Sequence, residues 1–189
     1  MGFLDALLGR SKPVRPDLDQ LFALPSAAVT LQAAAGLLPT GEGSVCFASV
    51  EGGAFDRIRD ELAELLDGPV EFTEDGLGYT WLRVRHAPDD VAGLVNDLHA
   101  VNTSLEEGGF GPHLLCSLIA FRDPREARSV ALVYLYKRGT FYPFAPRPGQ
   151  ARKRDNTLEL EVRSALGDDL RVEPDLGRWF PVWDAPGLA

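Results

Sequence analysis

Apolar residues recur along this chain with two periods, and the change of period marks the elements. Between Ala54 and Leu66, Phe55, Ile58, Leu62, Leu65 and Leu66 follow helical spacing, and Gly68-Pro69 ends the run. Pro88–Glu107 is a longer helix: Pro88 suits its first turn, and Val91, Leu94, Val95, Leu98, Val101 and Leu105 form its buried stripe. In Tyr79–Arg85 the period falls to two, with Tyr79, Trp81, Arg83 and Arg85 on one face and Thr80, Leu82 and Val84 on the other. Val70–Thr73 pairs with that strand as a hairpin around Asp75-Gly76. His113–Phe121 and Ser129–Lys137 are apolar on both faces, the mark of central strands, and the Asp123-Pro124 turn joins them. Phe141–Phe144 adds a short strand, Asp155–Leu166 a helix with caps at both ends, and Leu170–Val172 a last short strand.

Toward the N-terminus the pattern is less regular. Asp17–Gly36 reads as helical with a break at Pro25, Ser26 as N-cap of its second segment and Gly36 as its stop. Leu37–Gly43 reads as a turn and Ser44–Val50 as a strand. Gly2–Gly9 has the spacing of a short amphipathic helix, with Phe3, Leu4, Leu7 and Leu8 on one side, followed by a linker holding Pro13 and Pro16. A helix that short is not stable alone. It needs the domain, another protein or a bilayer surface to lie on.

Consecutive strands joined by short turns are antiparallel. The expected architecture is therefore α+β: a mostly antiparallel twisted sheet with helices packed on it, plus the short N-terminal amphipathic helix. Residues 1–16 are expected to be that helix and its linker, and residues 17–189 one α+β domain.

Charge narrows the choice of partner. The 189 residues carry a net charge of −9, which argues against nucleic acid because phosphate neutralisation needs clustered Lys and Arg. No apolar run approaches the ~18 residues of a membrane span, and the first residues lack the basic and apolar regions of an export signal. The expected location is cytoplasmic. Cys46 and Cys116 lie in apolar runs without a C-x-x-C spacing, which suits reduced core thiols.

Candidate chemistry is sparse. His86, His99 and His113 show no metal-ligand spacing, so neither a metal nor another cofactor is expected. His113 and Cys116 are three apart in a strand and point to opposite faces, which rules them out as a nucleophile–base pair. The chain has no G-x-S-x-G, P-loop or G-x-G-x-x-G motif, and its acidic pairs are sequence neighbours that project in different directions.

Binding features are stronger. Lys137, Arg138, Tyr142, Arg147, Arg152, Lys153 and Arg154 are candidates for a basic, aromatic-edged patch, against the plainer reading of a loop that offsets nearby acids. Trp179, Phe180 and Trp183 read better as a C-terminal strap than as a docking anchor. Phe3, Leu4, Leu7 and Leu8 are candidates for contact with a partner helix or a membrane surface. A competing small-molecule or enzymatic reading places a pocket between the sheet and helix 88–107, using His99, Tyr134 or Tyr136.

Several segments together carry a resemblance. MGFLDALLGRSKPV, LDQLFALPSAAVTLQAAAGL, GFGPHLLCSLIAF, LVYLYKRGTFYPFAP and EPDLGRWFPVW, in this order across nearly the whole chain, resemble the PspA-associated PspAB family of actinobacteria. The resemblance implies a non-enzymatic accessory of a PspA-type, phage-shock-like envelope stress system. Its partner would be a coiled-coil, PspA-like membrane-remodelling protein, with peripheral contact to an anionic membrane. It supplies no catalytic residues.

Overall fold

The computed structural model describes residues 16–50, 52–183 and 185–188. The segment holding Phe3, Leu4, Leu7 and Leu8 lies outside the described residues, so the expected N-terminal helix does too. The elements are a 3-10 turn Leu18–Ala23, α1 Leu24–Ala35, β1 Leu38–Ala48, α2 Gly53–Leu65, β2 Glu71–Glu74, β3 Tyr79–Arg85, α3 Val91–Leu105, β4 Leu114–Asp123, β5 Arg128–Leu135, β6 Thr140–Phe144 and α4 Asn156–Ala165. The six strands form one antiparallel sheet in the order β2-β3-β1-β4-β5-β6. The expected α+β class is the observed one.

Local signals account for most boundaries. Gly36 ends α1 in the left-handed conformation (φ 66), and the amides of Gly36 and Leu37 return to the carbonyls of Gln32 and Leu31. Asp90 caps α3 by accepting from the Gly93 amide at 2.9 Å, and Asp155 caps α4 by accepting from Leu158. The 79–85 strand and its 71–74 partner pair as the hairpin pattern required.

Four features differ from the sequence reading. The expected turn Leu37–Gly43 is the first half of β1, because Leu38 and Pro39 pair with Arg122 and Phe121 of β4 and a bulge before Gly43 absorbs the irregular residues. Long-range pairing here overrides a local turn signal. Ser26 does not cap α1; its hydroxyl donates to Asp169 at 2.9 Å, while Pro25 occupies the first turn, where its missing N–H has no intrahelical acceptor to lose. Pro88 lies in the turn before α3, whose helix starts at Val91. The expected strand Leu170–Val172 is reduced to one parallel bridge between Val172 and Phe141.

The alternation of side chains sorts the sheet into two unlike faces. Val45, Phe47, Leu82, Ile119, Leu132, Tyr134 and Phe141 meet the helices in the larger core. Cys46, Trp81, Cys116, Leu118, Val133, Tyr142 and Phe144 point the other way. There Trp179, Ala185 and Leu188 of the C-terminal segment cover them. The strap reading of the terminal aromatics is therefore the structural one for Trp179, whose indole N–H donates to the Glu173 carbonyl at 3.0 Å.

Candidate interaction surfaces

The seven residues nominated as a basic, aromatic-edged patch divide into two sets. Tyr142 is buried on β6, and its hydroxyl donates to the Phe180 carbonyl at 2.8 Å. Arg154 pairs with the buried Glu159 at 2.8 Å, donates to the Trp179 carbonyl and lies over the Phe144 ring. Arg138 pairs with the buried Glu173 at 2.7 Å. These three tie the C-terminal segment to the domain. Lys137, Arg147, Arg152 and Lys153 are exposed.

Glu173 is the centre of the tie. Although burial disfavours its charge, donors from Arg138, the Thr140 hydroxyl and the Asp175 amide hold its carboxyl below the usual range. No local pattern signals this cluster, since the partners of Glu173 lie up to 35 positions away.

His99, Tyr134 and Tyr136 are not gathered into one cavity. Tyr134 is fully buried and its hydroxyl donates to the Asp17 carbonyl at 2.7 Å. Burial pushes the hydroxyls of Tyr134 and Tyr136 each up to about 12, so both are neutral near pH 7. His99 stacks on Phe22 with ring centroids 4.7 Å apart. The space between α3 and the sheet is filled: a Cβ on Gly43 would lie 3.0 Å from Leu94 and 3.2 Å from Leu98.

His86 joins two carboxylates that sequence reading left apart. Its Nδ1 lies 2.9 Å from Asp90 and its Nε2 2.6 Å from Asp97. Burial opposes protonation, yet the two acids outweigh it and raise the imidazole above its ordinary value. Among the described residues no three His, Cys, Asp or Glu side chains form a metal-holding group.

Two concave surfaces stand out. One flanks α1, whose sequence LPSAAVTLQAAA contains no charged residue. Its inward side holds Leu24, Ala27, Ala28 and Leu31 in the core. Its outward side leaves Val29 69% exposed, and Phe22 in the preceding turn is 48% exposed. Beside it lies a groove of about 500 Å³ lined by Pro25, Val29, Leu38, Pro39 and Val91, with Gln32 and Asp89 also in its wall. The absence of charge from residues 24–35 was legible in the sequence; which half of the helix faces water was not.

The other concavity lies on the opposite face of the sheet. It measures about 590 Å³ and is floored by Cys46 and Cys116, with Trp81 and Tyr142 among its walls and Phe180–Trp183 along its rim.

With this geometry established, comparison with known proteins gives one match. The family model for PspA associated protein B, PspAB, covers residues 1–187. The chain belongs to the PspAB family. The match takes in both concave surfaces and the C-terminal strap, so all of them belong to the family's own domain rather than to an appendage. No curated protein and no solved structure matches the chain. No helix among the described residues is long and apolar enough to cross a membrane.

Proposed function

We propose that this protein is a non-enzymatic accessory that docks a PspA-type coiled-coil protein, in the cytoplasm, as part of a membrane-stress response. Family membership supports an association with PspA. The observation that carries the docking mode is the outward face of α1. Val29 on the uncharged helix, with Phe22 before it and Leu38 after it, leaves apolar side chains in water, and contiguous exposed apolar surface marks interaction sites. A partner helix with an apolar stripe would lay it along Phe22 and Val29 and into the adjoining groove, the helix-in-groove mode of recognition. Coiled-coil proteins carry such stripes by construction.

Within this reading residues 17–189 act as one domain. Phe3, Leu4, Leu7 and Leu8, with the exposed Lys137, Arg147 and Lys153, supply peripheral contact with an anionic membrane at its inner face.

The test is a binding titration of the full chain against its PspA-type partner, with wild type, Val29→Glu and a chain lacking residues 1–16 in parallel. Val29→Glu is expected to abolish binding while leaving circular dichroism and the melting temperature unchanged. Unchanged binding by Val29→Glu, with loss on truncation, would move the docking site to the first residues. No binding by any of the three would remove the accessory reading.

A further inference from the structure

The cleft beneath the C-terminal segment has the size of a small-molecule site, about 590 Å³. Its walls are largely hydrocarbon and aromatic, and two of its polar side chains, Asp75 and Tyr142, are engaged within the protein. The Asp75 carboxylate accepts from the amides of Leu77 and Tyr79 at 2.8 and 3.0 Å and from the Trp81 indole at 3.4 Å. The Tyr142 hydroxyl is spent on the Phe180 carbonyl. Cys46 and Cys116 face each other across the floor.

One lining group differs. Arg152 is exposed and has no ion-pair partner among the described residues. Its backbone is in the left-handed region (φ 53), which residues with a Cβ adopt rarely. The loop that carries it is closed by the Arg147 amide donating to the Lys153 carbonyl at 2.8 Å, and no acid occurs between Pro146 and Arg154. Arg147, Arg152 and Lys153 thus make a cationic loop on a chain of net charge −9, with the Asp75 carboxylate as the opposing charge in the cleft lining.

A ligand that suits this site has a hydrocarbon body, because Leu77, Trp81, Leu115, Leu135, Val182 and Trp183 make up much of the lining. It ends in an anion, because Arg152 is the cationic side chain of the lining and its guanidinium matches a carboxylate. We propose that the cleft binds a single-chain anionic amphiphile, with its hydrocarbon over Cys46, Cys116 and Trp81 and its carboxylate at Arg152. This site lies on the face of the sheet opposite α1 and does not depend on the helix-docking reading.

Trp81 and Trp183 line the cleft, so intrinsic fluorescence reports its occupancy. The full chain is titrated below the critical micelle concentration with dodecanoate, dodecanol and dodecyltrimethylammonium, and separately with phosphatidylglycerol vesicles. Saturable one-to-one binding is expected, in the order dodecanoate, dodecanol, dodecyltrimethylammonium. Arg152→Ala should weaken dodecanoate about tenfold and leave dodecanol unchanged, and Arg152→Lys should restore most of the loss. Equal binding of the anionic and cationic chains overturns the proposal, as does an Arg152→Ala protein with wild-type selectivity. Binding to vesicles without binding to monomeric dodecanoate also overturns it, in favour of a membrane-contact surface.

Discussion

Cys46 of β1 and Cys116 of β4 are direct cross-strand partners on the sheet face that the C-terminal segment covers. They stand 70 positions apart in the sequence, and the antiparallel pairing of β1 with β4 brings them together. The neighbouring Cys116 thiol and burial both push the Cys46 thiol up, so its reactive thiolate is scarce. Iodoacetamide at about pH 8 should label Cys46 slowly in the native protein and rapidly after unfolding. Mass spectrometry of the native reaction checks this; rapid native labelling of Cys46 would contradict the packed pair.

Glu173→Ala is expected to destabilise the fold by about 2–4 kcal/mol, because it leaves Arg138 and Thr140 without their acceptor. Arg138 keeps partial access to water, which limits the loss. Chemical denaturation with an unchanged slope would measure it. Limited proteolysis should cut the C-terminal segment first, since Arg138 and Arg178 reach that segment through Glu173.

The same carboxylate sets an acid limit. Its folded-state pKa lies below its unfolded value, so its contribution is complete above about pH 4.3 and is lost as pH falls through the folded value. The difference in melting temperature between wild type and Glu173→Gln should therefore shrink on acidification below that pH.

His86 carries the opposite sign. Its folded-state pKa is raised, so the Asp90–His86–Asp97 contribution is complete below about pH 6.5 and fades as pH rises through the folded value. Wild type should lose its stability advantage over His86→Asn between neutral and alkaline pH. An imidazole NMR titration with a midpoint below that of a free histidine would contradict the arrangement.

Gly41→Ala should cost roughly 2–4 kcal/mol. Gly41 is left-handed (φ 80), and an added Cβ would fall 2.1 Å from the His86 carbonyl oxygen. The His86 amide donates to the Gly41 carbonyl at 2.9 Å, so neither strand can withdraw without losing that bond. A melting temperature near wild type would show that the β1 bulge relaxes.

The pattern of the chain by itself determined which segments are helix and which are strand wherever the periodicity was unbroken. α2, α3 and the β2–β3 hairpin follow from spacing and caps, because these depend on residues within a few positions of one another. The acidic balance was equally legible, being a property of composition. The uncharged run at residues 24–35 was visible too, although not its exposure.

Tertiary structure decided the rest, for reasons of distance along the chain. Leu38 and Pro39 became strand because β4 lies beside them, not because of their own propensity. Arg138, Arg154 and Tyr142 left the basic surface because Glu173, Glu159 and the Phe180 carbonyl, 35, 5 and 38 residues away, claimed them. A charged or hydroxyl side chain reads as surface until its buried partner is known, since burial is favourable only when that partner is present. The cleft over Cys46 and Cys116 arises where the C-terminal segment crosses the sheet, so no single segment of sequence contains it.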